Sequence, residues 1–371
     1  MRLRALYVAP DPALRQDQVG GAGTHIRGTL EGLRAADIDV DAWIGSASVR
    51  DGAPTIAQVA APRIARRAPR AVRELARDVR LLNHGRSFAR VRADGHDCVY
   101  ERSAYLVDAG RSLAARAGIP YLLETDGILV SATKAAYGGV LLRRAERLER
   151  TKIGSADAVV VMSAASGRAI AQRYGVERDR LLVKGLGVEE SLFDLQPEPL
   201  TTDVGFAGTF QPYHGVDLLV AALELRPQLS AVLVGDGPTA NDIRTQVTGM
   251  SRIELPGLLP REVSLRRLAE CRVLVIPHSA DAVYPVKLLE YAALGRPTVC
   301  PDVPAFDEFD HDRPAVYRFA AGDPDAFAGA IDAALADDGR ATHLRQIVRA
   351  DYTWRAVGAR IADRMRELVA A

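Results

Sequence analysis

The chain has 371 residues, a formal net charge of +1 and 26% charged residues. That length exceeds one ordinary hydrophobic core, so two domains are expected. The charge balance excludes the global basic excess that nucleic-acid binding requires, and no run approaches the ~18 apolar residues of a membrane-spanning helix.

Met1-Arg-Leu-Arg leads directly into strand-like residues 3–8, without the apolar core and cleavage pattern of a signal peptide, so the cytoplasm is the expected compartment. Next come a glycine loop holding Gly20, Gly21 and His25, a helical period over 24–35 and a strand over 40–44, the rhythm of a parallel βαβ unit. Small residues in that loop would let backbone N–H groups approach a phosphate; a mobile turn is the alternative. The loop is not the dinucleotide-binding Gly-x-Gly-x-x-Gly.

Residues 63–92 hold ten arginines, among them Arg66, Arg70, Arg73 and Arg77. Two readings fit: a basic helix lying on an anionic membrane surface, or a solvated arginine-rich helix. Strands follow at 98–100, 121–124 and 158–161, each leading into a polar loop. Glu101 and Arg102 end the first of these, where they line a ligand site at the carboxyl edge or pair with each other, and Glu124 ends the second. Asp126, just beyond, either hydrogen-bonds a ligand or caps the next helix. Cys98, Cys271 and Cys300 are widely spaced beside apolar strands, as reduced structural cysteines are. Asp39-x-Asp41 lies within a strand pattern and Asp323-Pro-Asp325 in a turn, so no catalytic metal is expected.

Residues 185–199 are rich in glycine, proline and acids, as a linker is, which places a boundary near 198 between domains 1–198 and 199–353. A second set of strands is read at 203–206, 231–234, 253–255, 273–276 and 298–300, with a last amphipathic helix over 354–369. Positive charge is almost all arginine. Only Lys134, Lys152, Lys184 and Lys287 are lysines, so one inside a motif draws notice.

That motif is Pro285-x-Lys287-Leu288-x-Glu290-Tyr291-x-Ala293-x-Gly295-x-Pro297, which opens a helix after the strand at 273–276. It resembles the donor-site signature of the family-four, GT-B-fold retaining glycosyltransferases. Ala207-Gly208-Thr209, followed by His214-Gly-Val-Asp217, resembles another segment of that family, with Thr209 and His214 where an arginine and a lysine usually stand. Asp126 stands where many relatives carry a histidine, and Gly20, Gly21 and His25 match a Gly-Gly-x-x-x-His stretch.

The resemblance implies two Rossmann-like α/β domains facing across a cleft, the last helix packing back on the first domain, and metal-free, cofactor-free hexosyl transfer with retention. A UDP- or GDP-sugar would be held by Gly20, Gly21, Gly208, Thr209, His214, Leu259, Val286, Lys287, Leu288 and Glu290. Glu290 would take the ribose diol, and Lys287 with protonated His214 the diphosphate. His25, Glu101, Arg102 and Glu124 would lie on the acceptor side, toward a small-molecule, saccharide or lipid-linked acceptor. Asp126, Lys287 and His214 are the catalytic candidates. A nucleotide-sugar epimerase shares the architecture and remains the alternative enzyme; a sugar-binding receptor is a third reading, weakened by the missing export signal.

Overall fold

The computed structural model describes residues 2–15, 21–45, 47–49, 69–88, 91–195, 199–278, 286–310 and 313–371. Gly20, Pro285 and residues 63–68, 89 and 90 of the arginine-rich stretch lie outside these. The chain forms two compact units, one of residues 1–187 with 354–371 and one of residues 188–353. The division falls at 187/188 and not near 198. Val188 donates its N–H to Tyr352 O at 2.8 Å and bridges Thr353, and Leu192 and Phe193 are buried, so these linker residues belong to the second unit.

In the first unit, β1 (Arg4–Ala9) leads to α1 (Gly21–Ala35), β2 (Asp39–Ile44) and β3 (Ala47–Val49). Then follow α2 (Arg70–Ser87), β4 (Cys98–Arg102), α3 (Gly110–Ala117), β5 (Tyr121–Thr125), α4 (Leu129–Tyr137), α5 (Leu142–Ser155), β6 (Ala158–Val161), α6 (Ala164–Tyr174) and β7 (Leu181–Val183). The sheet order is β3-β2-β1-β4-β5-β6-β7, parallel except for β3. β1, β5 and β6 are almost wholly buried because helices cover both faces of the sheet.

The last helix, Trp354–Ala370, packs on α1 and completes one face of this sheet with Trp354, Val357, Ile361 and Met365. Glycines make the contact possible. A Cβ at Gly28 would fall 2.0 Å from Trp354 Cε2, and one at Gly358 would fall 2.1 Å from the Gly32 carbonyl carbon. Interior helix glycines are otherwise unfavourable by about 0.5–1 kcal/mol each, so close approach of the two helices offsets a local penalty.

The second unit runs β8 (Thr202–Ala207), α7 (Val216–Glu224), β9 (Ala231–Val234), α8 (Ala240–Gln246), β10 (Ile253–Gly257), α9 (Arg261–Ala269), β11 (Cys271–Val275), α10 (Val286–Ala293), β12 (Thr298–Pro301), β13 (Tyr317–Phe319), α11 (Pro324–Leu335) and α12 (Arg340–Asp351). Its sheet order is β10-β9-β8-β11-β12-β13, all parallel. α10 buries Leu288, Leu289, Tyr291, Ala292 and Ala293, and Gly295 at φ +69 ends it. Strand order reverses between β1 and β4 in one unit and between β8 and β11 in the other. Such switch points open a crevice at the carboxyl ends of the strands.

The residues described in α2 do not form a uniformly exposed basic helix. Arg77 turns inward, donating to Tyr137 O at 3.2 Å and Gly138 O at 2.9 Å and pairing with buried Asp78 at 2.8 Å. Asp78 accepts from the Val140 and Leu141 amides at 3.0 and 2.9 Å, closing the start of α5. The outward face carries Arg73, Arg80 and Arg86 around Val72, Leu75 and Val79, which are 53, 41 and 42% exposed.

Candidate active site

At the switch point of the second unit, Gly208 and Thr209 follow β8, His278 follows β11, and α10 begins with Val286 and Lys287. The Lys287 side chain lies back against the end of β8, its Nζ 5.7 Å from the centre of the Phe206 ring. Burial pushes its pKa down, and the more distant Glu290 only partly opposes this. Among the described residues no carboxylate forms an ion pair with it. Lys287 is half-buried, so its unpaired charge bears part of the desolvation cost of a buried cation, which an arriving anion removes.

His214 is held by the Thr209 carbonyl, to which its Nδ1–H donates, and Thr209 Oγ1 lies 3.2 Å from the same nitrogen. Burial, then the charges of Lys287 and His278, lower its pKa, while the carbonyl contact raises it. The protonated His214 expected from the sequence is therefore disfavoured without an anion, and the ring presents Nε2 as an acceptor. His278, exposed beside Gly215, belongs to no recognised motif, so no sequence signal marks it.

Glu290, one turn into α10, does not stand free. Arg261, the first residue of α9, donates to Glu290 Oε1 from Nη2 at 2.7 Å and from Nε at 3.2 Å, and pairs with Glu189 Oε2 at 2.8 Å. Burial raises the Glu290 pKa and Arg261 pulls against it. Leu259 lies two residues before Arg261, in the loop after β10, where Leu258 is 78% exposed. Val286 is exposed at the helix start, and Leu288 is buried in the core rather than facing a ligand.

In the first unit the carboxyl edge is densely charged. Glu124, fully buried, lies 2.6 Å from His25 Nε2 and 3.1 Å from Lys184 Nζ, and accepts from the Tyr100 hydroxyl. Lys184, also fully buried, lies 2.8 Å from His25 Nε2. Lys184 and His25 hold the Glu124 pKa well below the usual carboxylate range despite burial. Burial and the Lys184 charge in turn lower that of His25. Arg102 reaches Asp126 at 3.1 Å and lies 4.0 Å from Glu124. Lys184, unremarked in the sequence beyond its rarity, ties the group together.

His25, Glu124 and Asp126 bring ligand-type atoms within 4.8 Å of one another. Lys184 and Arg102 already place two cations against them, so a divalent ion would be a third positive centre there.

Two expectations need correction here. Glu101 does not reach an acceptor site or pair with Arg102: it faces the opposite side of the sheet, fully buried, 2.6 Å from Lys152 Nζ and accepting from the Tyr121 hydroxyl at 2.6 Å. Asp126 is no helix cap, because the Glu149 carboxylate accepts from the Leu129 and Val130 amides at 2.7 and 3.4 Å at the start of α4. Asp126 is instead 56% exposed beside Arg102. Gly21 opens α1, and a Cβ there would meet nothing within 4 Å.

Residues 201–337 match the family described as "Glycosyl transferases group 1", and residues 20–187 the family described as "Glycosyl transferase 4-like domain". A Bacillus subtilis protein assigned to teichuronic acid biosynthesis as the glycosyltransferase TuaH is 23% identical over 223 residues, 54% of this chain; the match spans 55% of that relative's length. The sucrose-phosphate synthase of Thermosynechococcus elongatus superposes over 100% of both chains with TM-score 0.69 at 18% identity. Anabaena HepE, solved with UDP and glucose, superposes over 99% of this chain and 100% of its own with TM-score 0.65 at 15% identity. These matches are with transferases and lend the epimerase reading no support. With glycosyltransferase sequence in both units and that fold over its whole length, the chain belongs to the glycosyltransferases of GT-B fold.

Proposed function

We propose that this protein is a family-four retaining glycosyltransferase that moves a hexosyl group from a nucleoside diphosphate sugar to an acceptor hydroxyl without a metal. Lys287 carries this reading: its side chain is half-buried against the carboxyl end of β8, its ammonium has no carboxylate partner among the described residues, and a diphosphate supplies the missing charge. In the proposed reaction the bond between the anomeric carbon and the diphosphate oxygen breaks, and both electrons leave with the diphosphate. The acceptor oxygen bonds that carbon on the same face, and the acceptor proton passes to the departing diphosphate.

Lys287, the amides opening α10 and the loop at Gly208 and Thr209 stabilise the leaving group. His214 takes part as an imidazole whose protonation follows the arrival of the phosphate. Glu290 accepts from the ribose diol. Asp126 and Arg102 face the sugar or the acceptor, while His25, Glu124 and Lys184 hold the floor beneath them. UDP is the favoured nucleotide, supported by the UDP bound to the Anabaena relative, with GDP the other candidate.

The test is a thermal-shift panel of UDP, GDP, ADP and their sugars. A ligand at a hundred times its dissociation constant adds about 2.7 kcal/mol of stability. A melting shift in the wild type that disappears in Lys287→Met supports the reading; no shift with any nucleotide sinks it. A lipid-linked acceptor and membrane contact through the outward face of α2 form a narrower version. That version is tested by sedimentation with anionic vesicles at low salt and release as salt rises. Among the described residues no helix is long and apolar enough to cross a membrane.

A further inference from the structure

Arg261 stands where the physics of a helix does not want it. It opens α9, whose N-terminal partial positive charge disfavours a cation. Its guanidinium is nonetheless fixed by two carboxylates of the same unit. Both donors that reach Glu290 go to one oxygen, Oε1, at 2.7 and 3.2 Å, and Glu189 takes the outer side of Nη2 at 2.8 Å. The charged groups around Glu290 are thus Arg261 from α9, Glu189 from the turn before Glu190–Asp194, and Lys287 from its own helix.

With Oε1 occupied twice, the Glu290 carboxylate has lost its freedom to rotate about the last side-chain bond. Its other oxygen, Oε2, is the acceptor left to a ligand. Arginine achieves this because its planar fork delivers two N–H bonds at a set angle, which a lysine ammonium does not.

We propose that Arg261 is a positioning residue of the nucleotide site, which locks Glu290 by Oε1 so that Oε2 meets the ribose hydroxyls in one orientation and reads the 2′-hydroxyl. This rests on the reading of Glu290 as the ribose ligand. A locked acceptor discriminates sharply, because a deoxyribose leaves it without its partner and it cannot turn to find another. A free carboxylate turns to the 3′-hydroxyl or to water and loses that discrimination.

The experiment compares dissociation constants, by calorimetry, of UDP, GDP and ADP with those of their 2′-deoxy counterparts. The proteins are wild type, Arg261→Met, Arg261→Lys and Glu189→Gln. Wild type should favour the ribonucleotide it binds by about tenfold or more, the worth of a hydrogen bond to a charged group. Arg261→Met should bind both forms and bring that ratio below about threefold, with Arg261→Lys intermediate, whereas Glu189→Gln, which leaves the Arg261–Glu290 contact in place, should keep the wild-type ratio.

A merely structural arginine would weaken both forms together, so an unchanged ratio in Arg261→Met overturns this inference and leaves the nucleotide site standing. Failure of the wild type to bind any of the three nucleotides overturns the nucleotide site itself, and this inference with it. Circular dichroism of each variant confirms that the comparison is made on folded protein.

Discussion

Gly208 and Lys287 share one space: a Cβ at position 208 would stand 2.9 Å from Lys287 Cε and 3.2 Å from its Nζ. The missing side chain at the end of β8 lets the ammonium lie across that strand. Gly208→Ala should push the lysine away from its seat and raise the donor KM by roughly tenfold, and should lower the melting temperature modestly, because the same Cβ would stand 3.0 Å from the ring of buried Phe206. Lys287→Met should raise that KM further or abolish turnover. Steady-state kinetics matching wild type in both variants would remove Lys287 from the donor site.

Asp126→Asn should lower kcat much more than it weakens donor binding, as removal of a contact made mainly in the transition state does. The start of α4 depends on Glu149 and not on Asp126, so this substitution should leave the circular dichroism spectrum and melting temperature unchanged. Turnover equal to wild type would exclude Asp126 from the reaction.

Lys152→Met should destabilise the first unit by about 3–5 kcal/mol, because it leaves the Glu101 carboxylate buried without its cation. The double variant Glu101→Gln with Lys152→Met should recover most of that loss. Urea titrations of the three proteins would show it, and a single variant as stable as wild type would mean the pair contributes nothing.

The pH dependence of stability has a defined sign around His25. Its pKa is lowered in the folded protein, so as pH falls below about 6.5 the unfolded chain gains a proton that the folded one refuses, and stability drops. Glu124, whose pKa is depressed, adds stability that is present above about 4.3 and is lost as pH falls toward its folded value. Denaturation midpoints between pH 8 and 5 should fall in wild type and fall less steeply in His25→Asn. Parallel curves would show that His25 titrates alike in both states.

The alternation of strands and helices was legible because apolar runs and helical spacing are local signals. The segment around Lys287 and Glu290 was legible because its helix, its carboxylate and its closing glycine lie within a few turns of chain. What escaped were pairings made between distant segments. Lys184 and Glu124, Lys152 and Glu101, and Arg261 and Glu290 each join residues that no periodicity connects. Arg77 looked like one more arginine on a basic helix until α4 and α5 supplied the carbonyls and the capped helix start that turn it inward. The linker composition was real, but Leu192 and Phe193 found a core within it and carried the boundary back to 187.

The packing of the helix Trp354–Ala370 on α1 sets an order of assembly. Residues 188–353 are contiguous, so their sheet and helices have every part they need once Thr353 is made. The sheet that is synthesised first lacks Trp354, Val357, Ile361 and Met365, the side chains that seal one of its faces. The first unit therefore cannot seal that face until residues 354–370 have been made, and they follow the whole of the second unit.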